Sequence, residues 1–271
     1  MSFGDLLRVG PGSTPDLAVV DPGNTPGFTG EKNAAQDRLK ELRDELADFQ
    51  ERLWAEAKQS LLVVLQALDA GGKDGLIRKV VTAFNPQGTR VAAFGVPTEE
   101  ELRHDYLWRV HAATPGKGRI AVFNRSHYED VLVVRVKELV PESVWSQRYD
   151  QINAFEAHLA ANGTRIVKFF LHISREEQHR RFLKRLESPE KHWKWDSGDL
   201  ETRRKWDDFQ AAYTDALARC STDAAPWFII PADSKWYRDL AAAEILAETA
   251  RSMDPHWPEP AEDVSKIVIP E

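Results

Sequence analysis

The sequence has a single cysteine, Cys220, in 271 residues, so neither an intrachain disulfide nor a thiolate metal cluster can form. Its longest aliphatic run, Leu61 to Leu65, falls far short of the roughly 20 apolar residues that a membrane-spanning helix needs. The opening stretch MSFGDLLRVGPGSTP lacks a charged region followed by an apolar one, so the expectation is a cytoplasmic chain with no leader and no membrane partner. Neither H-E-x-x-H nor G-x-S-x-G occurs, which leaves zinc-protease and serine-hydrolase chemistry without support. The eight histidines include the pairs His104/His111 and His172/His179, each seven residues apart. That is not a ligand spacing, and structural or surface roles are expected for them. Basic charge is also scarce: 36 Lys and Arg against 43 Asp and Glu give a net charge of −7. This excludes a broad nucleic-acid-binding face.

What is present is an ordinary globular balance, 42% apolar and 29% charged, in a chain long enough for a substantial core. Residues 1–30, rich in Gly, Pro, Thr and Asp without a period, predict an extended arm. Over residues 31–58 the apolar positions Leu39, Leu42, Leu46, Phe49, Leu53 and Trp54 form a helical stripe that must pack on its own domain or on a neighbouring subunit. Apolar runs at 60–68, 89–96, 118–123, 164–174 and 226–232 predict five strands. Helices are expected between them: from the Gly-rich turn to about Phe84, over 99–113, from Ser126, from Pro141 and over 234–253. Ser174 followed by Glu177 reads as a capping box. Buried strands alternating with helices predict a parallel sheet covered on both faces. The expected organisation is one α/β domain over 31–253 with a helical extension at its N-terminal end, and a tail over 254–271.

The chemistry concentrates at strand ends. Leu68-Asp69-Ala70-Gly71-Gly72-Lys73-Asp74-Gly75 stands between a strand and a helix, where glycines let backbone amides converge on phosphate and a helix N-terminus adds positive charge. The pattern G-x-x-x-x-G-K-[ST] is not met: Ala67 occupies the first Gly position and Asp74 the Ser/Thr position. The segment alone is also compatible with a tight turn carrying a solvated Lys. A carboxylate facing polyanionic phosphate repels it, so Asp69 beside Lys73 makes sense chiefly with a divalent cation between carboxylate and phosphate; capping of the following helix is an equal alternative.

At the end of the third strand, Asn124-Arg125-Ser126-His127-Tyr128-Glu129-Asp130 should share the crevice with Lys73, since ligands of open α/β sheets bind at the carboxyl ends of strands. Arg125 suits bidentate phosphate binding, and Glu129 or Asp130 suits a metal ion or the orientation of Arg125. Between Arg175 and Lys205 ten Lys and Arg face seven Asp and Glu, reversing the sign of the chain. Here SPEKHWKWDSGD, with Pro, Gly and no helical period, predicts a mobile loop at the centre of a basic lid over about 185–205. A solvated charged face is the bland alternative, against which Trp193 and Trp195 argue because indoles in a loop normally cover something.

In order along the chain, DAGGKDG (69–75), NPQGTRV (85–91), IAVFNRSHYEDVLV (120–133), FE (155–156), KFFLHIS (168–174), EEQHRRF (176–182), HWKWDSGD (192–199), WDDF (206–209) and APWFIIPADSKWYRDL (225–240) resemble the polyphosphate kinase family 2, in particular its single-domain nucleotide-phosphorylating members. The resemblance covers about residues 31–253. It implies a P-loop kinase-like three-layer α/β sandwich with a lid, and Mg²⁺-dependent transfer between inorganic polyphosphate and nucleotides, with AMP and ADP as acceptors giving ADP and ATP, and guanine nucleotides as further candidates. By position it implies that Asp69 orients the acceptor and binds Mg²⁺, and that Lys73 and the loop Ala70, Gly71, Gly72, Asp74 and Gly75 hold the transferring group. Arg125 and Arg181 would neutralise charge, Asn124 would line the site, and Lys194 would close from the lid. Asn124 stands where many members carry Asp and brings no charge, so the resemblance shifts the second metal contact to Glu129 or Asp130. It also implies a homo-oligomer. The competing functions are an ATP-dependent small-metabolite kinase on the same fold and a non-catalytic nucleotide- or RNA-binding module.

Overall fold

A computed structural model describes residues 1–267, 269 and 270. After a helical turn α1 (Phe3–Leu7) comes the long helix α2 (Lys32–Glu56). Its stripe residues Leu42, Leu46, Phe49 and Leu53 are at most 1% exposed, and α2 lies along the last helix, α11 (Lys235–Met253). The centre of the apolar stripe is thus packed within the chain, while Leu39 and Trp54 at its two ends are half-buried.

Between them run β1 (Ser60–Gln66), α3 (Lys73–Lys79), β2 (Thr89–Ala93), α4 (Trp108–His111), β3 (Ile120–Asn124), α5 (Val133–Val136), α6 (Glu142–Trp145), α7 (Arg148–Ala161), β4 (Thr164–His172), α8 (Arg175–Glu187), α9 (Gly198–Arg204), α10 (Trp206–Cys220) and β5 (Trp227–Pro231). All five predicted strands form. They make one parallel sheet in the order β2-β3-β1-β4-β5, with α2 and α3 packed on α11 and with α5 and α7 packed on α10. β1 reads as a nearly continuous apolar run because both its faces are covered, and β4 is buried over the same length although Lys168 interrupts its apolar residues. Leu65 is in register with Asn124 and with Phe169, so the chain leaves β1 and β3 at adjacent points on one end of the sheet.

Several helices differ from expectation. Residues 99–113 do not form one helix: a 3-10 turn at Glu101–Arg103 and the single turn α4 take its place. The segment after Ser126 is a 3-10 turn, His127–Asp130, before α5, and the helix from Pro141 splits into α6 and α7 with Pro141 as N-cap rather than first helical residue. The common reason is that these segments are short and are held by side chains rather than by a long apolar stripe: Glu101 accepts from Thr98 N–H, and Ser126 Oγ accepts from Tyr128 N–H. Ser174 caps α8 by accepting from Glu177 N–H, but the reciprocal half of the box is absent: Ser174 N–H donates to Asp233, and the Glu177 carboxylate pairs with Arg180 and Arg181. The predicted mobile loop is structured as a 3-10 turn, Pro189–Lys194, followed by α9.

Residues 1–30 cross the β5 side of the molecule. Arg8 bridges Phe228 in antiparallel fashion, Val9 N–H donates to Trp227 O, and Phe3 and Gly4 N–H donate to the Glu248 carboxylate. This covers an edge strand that would otherwise present unpaired backbone.

Candidate active site

The loop after β1 turns on three constraints. Ala70 and Gly72 have positive φ (60° and 105°), and Gly72 is in addition so close to Arg238 Nη1 that any Cβ would overlap it. A Cβ on Gly71 would lie 2.5 Å from Ala67 Cβ and 2.8 Å from Leu68 O. The residue at 67, where the strict pattern has Gly, is therefore small for a packing reason. Lys73 opens α3 and donates from Nζ to Ala67 O at 2.9 Å. Burial, then the Arg125 charge, lower its pKa against the pull of Asp69, Glu129 and Asp74.

Sheet register brings Asn124 and Arg125 to this loop, as expected. Arg125 has φ 62° and donates from Nη2 to Asp69 Oδ1 at 3.0 Å. Burial opposes its charge, but Glu129 and Asp69 outweigh it and raise its pKa. Asn124 Nδ2 donates to Asp74 Oδ1 at 3.0 Å, and Lys194 Nζ lies 3.6 Å from Asp74 Oδ2. An Asp at 124 would set two carboxylates face to face; Asn makes the contact a hydrogen bond, which ties both departures from the usual motifs to each other.

The remaining predicted residues are distributed as follows. Arg181 lines the same cavity, yet its nitrogens are engaged: Nε with Glu177 (2.6 Å), Nη1 with Ala70 O (2.8 Å), and Nη2 with Ala232 O (2.5 Å) and Asp233 O (3.2 Å). It braces the loop from α8. Glu129 lies within electrostatic reach of Lys73 and Arg125; burial raises its carboxyl pKa, opposed by Arg125, Lys73 and a Gln66 hydrogen bond. Asp130, the other carboxylate considered, is taken by Arg148 at 3.0 Å. His127 and His172 are buried and His104 stacks on Trp108, so these histidines are structural or surface groups.

Asp69, Lys73, Arg125 and Lys194 all face one cavity of about 1010 Å³, whose lining carries eleven Lys and Arg against six Asp and Glu. Within an acidic protein this is a local basic chamber. The lid closes one side through Trp193, Lys194 and Asp199, and the start of α11 closes another through Lys235 and Arg238. Phe94 also lines it, stacked edge-on with Phe123 at 4.9 Å.

Three residues escaped the motif reading. Arg238 is 2% exposed, holds Asp239 with Nε and Nη2, and directs Nη1 at Gly72 with no protein partner among the described residues. Gln178 Nε2 donates to Asp69 O at 3.0 Å. Asp199 pairs with Arg185 at 2.8 Å, and burial together with the Asp69 charge pushes its carboxyl up to about 6. Only the RD pair within KWYRDL hinted at the first; the second depends on how α8 crosses the loop and the third on how the lid folds back.

Among the described residues, no group of three or more His, Cys, Asp or Glu side chains forms a ready cage for a metal ion. Mg²⁺ does not require one, since it binds through one or two carboxylates plus phosphate oxygens and water. The donor set fits: Asp69 is a hard oxygen ligand at the cavity wall that gives only Oδ1 to Arg125, and a second carboxylate, Asp199, faces the same cavity. No helix among the described residues is long and apolar enough to cross a membrane.

Comparisons with known proteins place the whole chain in one family. A family model described as polyphosphate kinase 2 matches residues 29–258. An AMP/ADP-polyphosphate phosphotransferase of Meiothermus ruber is 53% identical over 262 residues, covering 97% of this chain and 98% of that protein. An ADP-polyphosphate phosphotransferase of Rhodopseudomonas palustris is 44% identical over 269 residues, covering 93% and 91%. A crystal structure of polyphosphate kinase 2 from Arthrobacter aurescens superposes with a TM-score of 0.94 at 43% identity, covering 98% of this chain and 94% of that one.

Proposed function

The chain belongs to the polyphosphate kinase 2 family, and on that premise we propose that it moves phosphoryl groups between inorganic polyphosphate and nucleotides, with AMP and ADP as acceptors, in the chamber between the β1–α3 loop and the lid. It is an enzyme of the phosphotransferase class with a P-loop kinase-like fold. The observation that carries the site assignment is the convergence of Lys73, Arg125 and Asp69 at one end of the sheet, beneath a basic lid.

The chemistry asks little of the protein in proton transfer. A nucleotide phosphate oxygen is already ionised, so it attacks the terminal phosphorus of polyphosphate without a general base. The new P–O bond forms as the bridging P–O bond breaks, and the shortened polyphosphate leaves with the electron pair. The amides of Gly71 to Gly75 and the Lys73 ammonium hold the transferring group, Arg125 meets the charge that spreads over its oxygens, and Lys194 follows from the lid. Arg181 keeps the loop in shape, and Arg238 offers its unpaired Nη1 to a donor phosphate. Asp69 would hold Mg²⁺, with Glu129 as the second carboxylate; when bound, the ion offsets the charge of two approaching polyanions.

We assign residues 31–253 to one catalytic unit, 185–205 to its lid and 1–30 to a strap over the sheet edge. Guanine nucleotides remain candidate acceptors. A homo-oligomer would rely little on the α2 stripe, whose central residues are packed within the chain. Basic charge gathered in one chamber of a protein with a net charge of −7 favours a phosphate polymer over a nucleic acid, and we assign the enzyme to the cytoplasm.

The test is ATP formation from ADP, Mg²⁺ and long-chain polyphosphate. Lys73→Ala and Asp69→Asn should each abolish turnover while the thermal midpoint moves little. No ATP from AMP or ADP with an intact fold overturns the reading, and activity surviving either substitution overturns the site. An ATP-dependent metabolite kinase would show no polyphosphate dependence, and a binding module no turnover.

A further inference from the structure

Two charged residues lie where the fold admits no water: Glu156 on α7 and Lys168 in the middle of β4, at most 1% exposed. Both belong to short motifs, FE and KFFLHIS, that the phosphoryl-transfer chemistry leaves without a role. Lys168 Nζ donates to Glu156 Oε2 (2.5 Å), to Tyr128 Oη (2.7 Å) and to Cys220 O (2.7 Å). Glu156 Oε1 accepts from Tyr128 Oη (3.0 Å) and from His127 Nε2 (3.1 Å). His127 Nδ1 is buried without a partner, which places the ring proton on Nε2, facing Glu156. Every donor of Lys168 and both oxygens of Glu156 are therefore used.

A buried ion pair is a weak source of stability, because desolvation offsets most of its Coulomb energy and apolar replacements of similar size are often neutral. Its placement says more than its strength. His127 and Tyr128 are the second and third residues after Arg125, the one residue of this segment held at positive φ. A non-glycine residue keeps that conformation only where its surroundings over-determine it. On one side Arg125 N–H is tied to Leu65 O. On the other, the turn is tied through Ser126 Oγ, which accepts from Tyr128 N–H, and through the two side chains locked to Glu156.

We propose that the buried Glu156–Lys168 pair is a positioning device for catalysis: by fixing the His127–Tyr128 side chains it holds the turn that aims Arg125 at Asp69 and at the transferring phosphate. This rests on the reading of Arg125 as the charge-neutralising residue. Glu156 and Lys168 touch neither substrate, and they act through Arg125 alone.

The test uses the paired replacement Glu156→Leu with Lys168→Met, which removes both charges together, and the milder Tyr128→Phe, which deletes one hydroxyl and keeps the ring. Each is made alone and in an Arg125→Ala background, with ATP formation followed at high enzyme concentration. In the otherwise unchanged protein we expect kcat to fall by about tenfold to a hundredfold, the scale of a misplacement near 1 Å, with KM for ADP within about twofold. In the Arg125→Ala background the same changes should lower kcat no further, because what they position is already gone. A folded Tyr128→Phe variant with unchanged kcat overturns the inference, as does an equal loss in both backgrounds. Should the paired variant not fold, Tyr128→Phe decides alone. Wild-type activity of Arg125→Ala itself would instead overturn the reading of the site.

Discussion

Gly72→Ala is the sharpest test of the phosphate loop, because two independent constraints meet at that residue. Its φ of 105° lies in a region that L side chains rarely adopt, at a cost of about 1–3 kcal/mol. The new methyl would also run into Arg238 Nη1. That guanidinium cannot yield cheaply: it is 2% exposed and held by Asp239 through Nε and Nη2. If the loop keeps its shape, the cost appears as lost stability. At about 2–4 °C per kcal/mol for a domain of this size, a cost near 2 kcal/mol lowers the thermal midpoint by about 4–8 °C. If the loop relaxes instead, the amides lose their convergence and kcat/KM falls about tenfold per 1.4 kcal/mol of transition-state binding lost. Differential scanning fluorimetry and the polyphosphate-dependent formation of ATP read the two branches. Gly116→Ala serves as control, since a Cβ there meets nothing within 4 Å. A Gly72→Ala protein that matches wild type in both midpoint and turnover would refute the argument.

Two titrating groups give predictions of opposite sign. Burial lowers the pKa of His172, whose Nε2 faces Leu17 O. The unfolded chain thus takes up this proton more readily, and stability is lost as pH falls below about 6.5; His172→Gln should flatten that acid-side decline in the thermal midpoint. Asp199 is raised to about 6, with burial the largest cause and Asp69 the next, so the native state holds its proton longer and stability is lost as pH rises from about 4 to 6. Asp199→Asn should therefore have the higher midpoint above pH 6, with the gap closing towards pH 4 in a pH series of melts.

The legibility of the sequence varied with the range of the interactions concerned. Four of the five strands could be read because a strand buried on both faces needs a run of apolar side chains, as in Leu61–Leu65 and Phe169–Leu171, while β2, an edge strand, is largely exposed. The long helices α2 and α11 could be read because each presents many apolar side chains at helical spacing. The short turns over 99–113 and 126–145 could not, since single contacts decide them: Arg109 on Glu101, and Glu156 on the side chains of the 127–128 turn. The same holds for the lid, which is closed on itself by an Arg185–Asp199 pair 14 residues apart and tied to the rest of the fold by Arg203 on Arg175 O and Gln178 and by Lys205 on Val136 O, rather than by a pattern.

By itself the sequence determined the parallel α/β architecture, the Gly-rich turn at 69–75 between strand and helix and the presence of Asn124-Arg125 at the next strand end, because backbone propensity and hydrophobic periodicity act over a few residues. Only the tertiary structure decided which charges share a site. Asn124 finds Asp74, Arg181 is spent on the loop backbone, Arg238 arrives from the far end of the chain, and a buried Glu–Lys pair stands behind Arg125. Likewise an acidic total of −7 says nothing of a chamber with nearly twice as many Lys and Arg as Asp and Glu on its walls. The reason is physical: a charge acts over a few ångströms in space, whatever the distance along the chain.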